Sequence, residues 1–447
     1  MLHKPGVTQG LARFVVEARW DDIPQRVRHQ AKRALMNFFA VALSGCRSGP
    51  VEIALSSLVE FSNRQQATVI GRGERIDALS AAFLNAASAN VLDFDDTHLP
   101  TAIHPSAPVA PALLALSELR KVTGAELLTA FVLGVEIEGR IGKAISPGHY
   151  TKGWHITSTC GVFGAAAGTA KLLGLDAPRM VSALGNASTQ SSGLCECLGW
   201  PAKSISVGNA ARNGLWSALL AARGFDGPPE PIAGVHGFLN AMAEPPNWPA
   251  LTDGLGETWE LMQNALKPYP CGFVIHPVLD VVLDWRRAHP ADAVERVVVR
   301  GNPLLAARTD RPEIATGRES QVSVQHAVAA ALLHGKAGPD QFTDACATDP
   351  AIMAMRRKVE VMRDSAIPTI AAQVELWTAD GSRHALSTSA SCGSPANPMS
   401  DRDIEDKLRS VAAAWRPGHD VAPLIDGVWD LERNNDVSRL LALTVPR

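Results

Sequence analysis

Paired cysteines are missing from this chain of 447 residues. Its seven cysteines are odd in number and scattered, and none belongs to a Cys-x-x-Cys pair. Cys195 and Cys197 are the nearest neighbours, but one intervening residue is not the spacing of a usual zinc site. The sequence therefore argues against a disulfide framework or a structural metal site, and it predicts reduced thiols in a cytoplasmic protein.

An excess of positive charge and a long apolar run are also missing. Lys and Arg number 42 against 45 Asp and Glu, which leaves no basic arm for nucleic acid. No clean run of 18 apolar residues occurs, and the nearest, the Ala- and Gly-rich stretch 161–175, is interpreted as a buried helix. Neither glycine-rich phosphate-binding motif is present. We expect no nucleic acid and no membrane as partner, and no motif implies a cofactor.

The first 266 residues of the chain are predicted to be mostly helical and are rich in small residues. The stretch 23–45 has apolar residues at helical spacing and stops at Gly45. Thr123 and Glu126 form the pattern of a capping box before the next long helix. The stretches 159–175, 187–199 and 208–224 are small and apolar on nearly every side, so we interpret them as helices that approach one another closely in a buried bundle.

The pattern changes near Lys267. The β-branched run 293–301 predicts a strand, and the stretch 371–390 alternates on both sides of Asp380-Gly381, which predicts a hairpin. The stretches 320–338 and 349–364 between them are predicted to be helical, and a capped helix begins at Ser400. We therefore predict a mainly α protein with an α+β part: a helical domain over residues 1–266, an α+β domain with a small antiparallel sheet over 267–399, and helices over 400–447.

The stretch 92–106, "LDFDDTHLPTAIHPS", concentrates acidic and imidazole groups, among them Asp93, Thr97 and His104. It could be a metal site, an acid–base site, or a polar helix end with solvated carboxylates. No metal-ligand spacing supports the first interpretation. Asp93 follows an apolar segment in which burial is expected, and a buried carboxylate usually has a partner and a shifted pKa. The metal site is therefore the weakest alternative, and no metal is predicted.

Five further residues have side chains that could act in catalysis or binding. His155 and Lys203 each lie next to the start of a small-residue helix, where anions are attracted, although capping or a surface lysine would explain them too. Lys267 lies at the proposed domain border, where clefts often bind ligands. His326 lies in an apolar helix and could equally be a core histidine, and Cys271 as a nucleophile lacks a matching signature.

Six stretches resemble the MmgE/PrpD family and occur in the family's order between residues 81 and 335. They are "LDFDDTH…HPS", "GVEIEGRIG", "GWHITSTCGVFGAAAGTAKLLGL", "AKSISVGNAARNG", "KPYPCGFVIHP" and "SVQHAVAAALLHG". The resemblance implies a large all-helical domain built from both chain ends, with a smaller α+β domain inserted before the C-terminus. It also implies a cofactor-free homodimer with its active site between the domains and a small polycarboxylate as substrate.

The positions that match the family's active-site pattern are Asp93, Thr97, His104, His155, Lys203 and Lys267. We predict Lys267 and His155 as the acid–base pair. His104 and Lys203 are predicted to bind or neutralise carboxylates.

Asp93 and Thr97 are predicted to orient one of these groups and tune its pKa. The chain departs from the family pattern at two positions. Ser206 stands where the family has a histidine, and we include it among the predicted substrate-binding residues. His326 stands where the family has a tyrosine, and it is a further candidate for proton transfer.

The loss of a phenol that could protonate a leaving group bears on the reaction. Along its length the chain is most similar to the family's iminodisuccinate-type epimerases. This resemblance implies a cofactor-independent isomerase that removes and returns a proton next to a carboxylate of a small amino- or imino-polycarboxylate. The alternatives are a lyase of the same family, either a 2-methylcitrate-type dehydratase or a cis-aconitate-type decarboxylase, a non-catalytic polycarboxylate-binding protein, and a metal-dependent hydrolase.

Overall fold

The computed structural model describes residues 6–243, 245–290 and 294–446. The helices are α1 (Val7–Glu17), α2 (Gln25–Gly45), α3 (Gly49–Val59), α4 (Ala78–Asn90), α5 (Ser106–Ser117), α6 (Gly124–Ile145), α7 (Gly148–Thr151), α8 (Ile156–Leu172), α9 (Ala177–Ser188), α10 (Ala202–Ala222), α11 (Phe238–Met242), α12 (Pro249–Thr252), α13 (His276–Ala288), α14 (Pro303–Thr309), α15 (Gly317–Ser320), α16 (Val324–His334), α17 (Asp344–Ala347), α18 (Pro350–Arg356), α19 (Asp401–Trp415), α20 (Ala422–Trp429) and α21 (Ser438–Ala442). The strands are β1 (Ala67–Thr68), β2 (Arg75–Ile76), β3 (Thr97–His98), β4 (Asn264–Ala265), β5 (Val294–Gly301), β6 (Val359–Arg363), β7 (Ala372–Thr378) and β8 (Arg383–Thr388).

The predicted fold class, mainly α with a smaller α+β part, is confirmed. Helix α8 packs against α6 and α10, and small residues at the crossings allow the backbones to touch. A Cβ atom on Gly164 would lie 2.8 Å from the carbonyl oxygen of Gly134, and one on Gly214 would lie 2.4 Å from the Cβ of Ala165. Among the described residues no single helix is long and apolar enough to cross a membrane, although the bent pair α2 and α3 together would be, by length and composition alone.

Two buried apolar clusters divide the described residues. The first runs from Leu11 to Leu266 and resumes from Met399 to Leu441, since α19 packs against α2. The second runs from Cys271 to Leu376 and lies between helices and the larger sheet. The domain bounds 1–266, 267–399 and 400–447 themselves stay a prediction, and residues 1–5 and 447 lie outside the described residues.

The larger sheet has the strand order β6-β5-β7-β8. The predicted hairpin is confirmed: β7 and β8 pair antiparallel, and Gly381 makes the turn with a φ of 85°. The strand predicted over 293–301 is β5, of which Ala293 lies outside the described residues. The sheet is mixed rather than purely antiparallel, because β6 pairs parallel with β5.

Two stretches predicted to be helical differ in the structure. Helix α18 ends at Arg356, and the rest of the stretch 349–364 forms the edge strand β6, whose pairing with β5 outweighs the local helical pattern. In the stretch 187–199, α9 ends at Ser188 and a loop follows. This loop lies against the residues before α8, since Gly193 accepts from the N–H of His155 at 3.0 Å, and its only helical part is a short 3₁₀ turn over Cys195–Cys197.

A short antiparallel ladder brings two distant segments together. Thr97 of β3 pairs with Ala265 of β4, so the loop after α4 lies beside the segment that carries Lys267. Gly393 packs against the same segment. The N–H of Leu266 donates to the carbonyl oxygen of Gly393 at 2.9 Å, and a Cβ atom on Gly393 would lie 1.8 Å from the carbonyl oxygen of Leu266. The loop after α4 carries Asp93, Asp95 and Asp96, and we call it the acidic loop. The ladder therefore fixes the position of Lys267 relative to this loop.

Candidate active site

A cavity of about 120 Å³ lies between the two apolar clusters and takes side chains from both sides. The side that we call the helical wall consists of Asp93, Thr97, His104, His155, Lys203 and Lys267, which all line the cavity. The side that we call the α+β wall includes Arg308, Arg318 and Gln321. The structure thus brings together the six residues that matched the family pattern.

Asp93 stands at the centre of the helical wall. The chain turns there after α4 with a φ of 51°, a left-handed conformation that is uncommon for a residue with a side chain. Its Oδ1 accepts from Lys203 Nζ at 2.6 Å and lies 3.5 Å from Lys267 Nζ, which donates to the Asp93 carbonyl oxygen at 3.0 Å. Burial alone would raise the pKa of Asp93, but the charges of Lys203 and Lys267 outweigh it and hold the pKa well below its usual range. Asp93 is therefore an ionised carboxylate that gathers two ammonium groups.

His104 is held as a neutral imidazole. Its Nδ1 lies 2.8 Å from the carbonyl oxygen of Asp96, which can only accept, so Nδ1 carries the proton. Nε2 is then without a proton and lies 3.8 Å from Asp93 Oδ1, while Thr97 Oγ1 lies 3.3 Å from Nδ1. Burial lowers the pKa of His104 to about 4. At neutral pH this side chain can accept a proton at Nε2.

A hydrogen-bond relay fixes the second histidine. Ser206 Oγ donates to the carbonyl oxygen of Lys203 at 2.8 Å and lies 2.6 Å from Ser158 Oγ, which in turn lies 2.8 Å from His155 Nδ1. Because the hydroxyl of Ser206 already donates to a carbonyl, the hydroxyl of Ser158 must donate to Ser206, and His155 Nδ1 must donate to Ser158. His155 Nε2 is thereby left as a proton acceptor. Burial lowers the pKa of His155 well below its usual value.

This relay corrects the role predicted for Ser206. The side chain does not line the cavity but lies behind it, in contact with Ser158. A serine at this position supports His155 through Ser158 and is not one of the residues that line the cavity. Direct substrate binding by Ser206 therefore has no geometric support.

Lys407 of α19 supports the helical wall from behind, and sequence reasoning missed it. Its ammonium donates to three neutral acceptors: Asn37 Oδ1 at 2.7 Å, the carbonyl of Phe94 at 3.0 Å and the carbonyl of Lys267 at 2.8 Å. It also lies 3.5 Å from the ring centroid of Phe94. Burial lowers the pKa of Lys407 well below its usual value. One side chain thus holds the backbone of both the acidic loop and the Lys267 segment.

The α+β wall carries two arginines with incomplete hydrogen bonding. The guanidinium carbon of Arg308, at the end of α14, lies 4.6 Å from the ring centroid of Tyr150. Arg318 of α15 donates through Nη1 to the carbonyl of Val91 and to Gln321 Oε1. The Nε atoms of both arginines are buried and have no hydrogen-bond partner among the described residues. Buried N–H groups without partners are uncommon in folded proteins, so both guanidinium groups have donors to offer a ligand.

The acidic loop could also hold a metal by distance alone. Ligand atoms of Asp93, Asp95 and His104 lie within 4.8 Å of one another. However, Lys203 Nζ lies 2.6 Å from the same carboxylate oxygen of Asp93, and a divalent cation placed there would meet like charge. The donor set therefore fits an acid–base site better than a metal site.

His326 is not brought to the cavity. Its Nε2 lies 2.7 Å from the carbonyl oxygen of Gln341, its ring lies 5.6 Å from that of Phe342, and its Nδ1 has no partner among the described residues. Burial lowers its pKa to about 4. These contacts are those of a core histidine, so the predicted part in proton transfer has no geometric support. Cys271 is buried and does not line the cavity, and burial raises the pKa of its thiol.

Four cavity or support residues were missed from the sequence: Tyr150, Arg308, Arg318 and Lys407. For Lys407 a signal existed, because it interrupts the apolar face of α19 between Ile404 and Leu408. Tyr150 stands a few residues before His155 and is one of two tyrosines in the chain. The two arginines stand in ordinary polar sequence, and only the tertiary fold turns them to the cavity.

Comparisons with known proteins identify the family of this chain. Residues 9–250 match the MmgE/PrpD N-terminal domain, and residues 269–431 match the MmgE/PrpD C-terminal domain. Cis-aconitate decarboxylase from Aspergillus terreus is 28% identical over 481 residues, which cover 98% of this chain and 96% of that protein. The proteins of the same name from Mus musculus and Homo sapiens are 28% and 27% identical, again over 98% of this chain and over 93% and 94% of theirs. A special likeness to iminodisuccinate-type epimerases is not supported by these relatives.

Proposed function

We propose that this chain, which belongs to the MmgE/PrpD family, is a lyase that acts on a small polycarboxylate, with decarboxylation of cis-aconitate as the first reaction to test. The enzymes named above align with almost the whole chain, which favours a lyase over the epimerase that the sequence suggested. The observation that carries the proposal is the charge pattern of the cavity. Four cationic side chains and two neutral histidines surround a single ionised carboxylate, so an anionic ligand is favoured.

In a decarboxylation, the cavity would neutralise the charges of the substrate and supply one proton. The carboxylates of the substrate are neutralised by the ammonium and guanidinium groups. When the C–C bond to one carboxylate breaks, CO2 leaves and its electron pair stays on the remaining unsaturated acid. Nearby cations stabilise this enolate-like intermediate. An ammonium proton from Lys267 is transferred to the carbanion carbon, and water returns a proton to the amine.

A dehydration would use the same groups in another order. His104 or His155, neutral at Nε2, would remove a proton next to a carboxylate. An ammonium group would then protonate the leaving hydroxyl. Both lyase reactions therefore use an ammonium group as the proton donor, but only the dehydration also needs a neutral histidine as base, and the substrate decides between them.

One observation keeps the epimerase as a second candidate. His104 and His155 come from different elements, line the same cavity and both carry an unprotonated Nε2. Epimerisation needs one group to remove a proton and another to return one on the opposite face of the carbon. A histidine unprotonated at Nε2 can remove the proton, and the ammonium group of Lys267 can return one.

Proton NMR in D2O separates these reactions. The enzyme is incubated separately with cis-aconitate, 2-methylcitrate and iminodisuccinate. Release of CO2 with a new alkene signal from cis-aconitate supports the proposal, and a new alkene from 2-methylcitrate identifies the dehydratase. Deuterium at a stereocentre without a new alkene would favour the epimerase. Binding of these acids without turnover of any would identify a non-catalytic polycarboxylate-binding protein. The homodimer and the cytoplasmic location remain predictions, which light scattering and cell fractionation would test.

A further inference from the structure

Arg308 differs from the other cations of the cavity in having no hydrogen-bond acceptor among the described residues. Lys203 and Lys267 share Asp93, and Arg318 donates to the carbonyl of Val91. Arg308 is in contact with the ring of Tyr150, its Nε is buried without a partner, and no carboxylate among the described residues forms an ion pair with it. Its charge is therefore the one that the surrounding protein neutralises least.

The aromatic contact explains how an uncommitted guanidinium is kept in place. A planar guanidinium stacks well on an aromatic face, and this contact engages the face of the group rather than its N–H edge. The ring of Tyr150 can therefore orient Arg308 while leaving the N–H donors free. Those donors form a fork whose spacing matches the two oxygens of a carboxylate.

The two arginines act on different parts of the cavity. Burial lowers the pKa of His155 and of Lys203, and the charge of Arg318 adds to both shifts. The charge of Arg308 instead opposes the rise that burial causes in the pKa of Tyr150 and of Cys195. Arg318 donates to the carbonyl of Val91, two residues before Asp93, whereas Arg308 contacts the ring of Tyr150 and forms no hydrogen bond or ion pair with the acid–base groups among the described residues.

We propose that Arg308 forms a subsite for a substrate carboxylate that takes no part in bond breaking, so that it selects acids with a carboxylate remote from the reacting carbon. The inference rests on the proposed function for the orientation of the substrate, but the subsite itself is a matter of binding. A carboxylate placed there receives the free N–H edge of Arg308 and neutralises its charge. An acid without that group leaves a buried donor unpaired, which weakens its binding.

Two unreactive acids test the subsite without turnover. Tricarballylate has three carboxylates on a propane chain, and methylsuccinate is the same chain without one terminal carboxylate. Isothermal titration of the full-length protein is expected to show tricarballylate binding about 10- to 100-fold more tightly than methylsuccinate. Arg308→Gln is expected to lose most of that preference, and Arg308→Lys, which keeps the charge but not the fork, to keep part of it.

Arg383→Gln is the matched control, because it removes an exposed guanidinium from the same part of the chain. It is expected to keep the full preference. Equal binding of the two acids by the unchanged protein would overturn the inference, and so would an Arg308→Gln variant that keeps the full preference. Circular dichroism checks that the variants are folded.

Turnover provides a readout that separates the two proposals. With cis-aconitate as substrate, Arg308→Gln should raise KM about 10- to 100-fold and change kcat less than about threefold. A protein that turns over none of the acids but loses its tricarballylate preference in Arg308→Gln would refute the proposed function and keep the subsite. A fall in kcat with an unchanged KM would overturn the subsite, since it would assign Arg308 to the chemical step.

Discussion

The helical wall and the α+β wall of the cavity differ in how far their polar groups are already satisfied. In the helical wall, Asp93 binds Lys203, and both His104 and His155 donate through Nδ1 to fixed oxygen atoms. In the α+β wall, the two arginines have buried Nε atoms without partners. The difference shows that one wall is organised before a ligand arrives, as the acid–base step requires, while the other is completed by the ligand's own charge.

The largest effect is expected from breaking the helical wall at its centre. Asp93→Asn leaves the ammonium groups of Lys203 and Lys267 buried without a counter-charge, which should lower the free energy of unfolding by about 3–5 kcal/mol. The acid–base geometry should fail with it, so kcat/KM should fall about 10²- to 10⁴-fold. Urea unfolding and steady-state kinetics measure both. Asp284→Asn, which removes an exposed carboxylate, is the control, and a change below threefold in Asp93→Asn would contradict a central role.

A smaller effect is expected from removing the support of the helical wall. Lys407→Met keeps the side-chain volume but leaves the carbonyl groups of Phe94 and Lys267 without their donor. The segments that carry Asp93 and Lys267 should then move relative to each other, and kcat should fall about tenfold because misplacement affects the reacting geometry. Kinetics with Lys336→Met, an exposed substitution, as control would check this. An unchanged kcat in a folded Lys407→Met variant would show that Lys407 does not position the site.

The serine relay allows a comparison within one helix. Ser206→Ala removes the acceptor that orients Ser158, and the orientation of His155 should loosen. We expect kcat to fall about 2- to 10-fold, the effect of one hydrogen bond. Ser204→Ala is the matched control, because Ser204 Oγ is buried on the same helix and has no partner among the described residues. Equal kcat values for the two variants would remove the relay from the mechanism.

The smallest effect on activity is expected behind the α+β wall. His326→Gln should change kcat less than about twofold, since His326 bonds to Gln341 away from the cavity. Its pKa of about 4 lies below the usual value of 6.5, because burial disfavours the charged ring.

The contribution of His326 to the free energy of unfolding should nevertheless depend on pH and become smaller as the pH falls. Between pH 6.5 and 4 the unfolded chain binds a proton at His326 that the folded chain does not, so this residue's contribution is present above pH 6.5 and is lost as the pH falls through about 4. The free energy of unfolding should change through His326 by up to about 1.4 kcal/mol per pH unit in this range. Urea unfolding at pH 7 and pH 5 should show the difference between His326→Gln and the unchanged protein shrinking at the lower pH. A difference independent of pH would contradict this assignment.

Sequence patterns predicted correctly those elements that depend mainly on residues close together in the chain. The long helices and the turn at Gly381 follow from apolar spacing, capping residues and a position that needs a positive φ. The strand β6 was missed because only its pairing with β5 makes it a strand. In the site, the six residues of the helical wall could be expected from motifs in family order. Arg308 could not be expected, and Lys407 showed only that it interrupts the apolar face of α19, because the contacts that define these two residues, with Tyr150 and with two carbonyl groups, join segments far apart in the chain.

The placement of Lys407 has a consequence for the order in which the molecule can be assembled. A ribosome releases the acidic loop and Lys267 long before it reaches α19, and domains tend to fold as they emerge. Until α19 arrives, the face of α2 around Asn37 is uncovered, and the carbonyl groups of Phe94 and Lys267 lack their common donor. The growing chain therefore carries Asp93 and Lys267 without fixing their segments relative to each other, and the helical wall is complete only after residue 415 has been synthesised and α19 has docked.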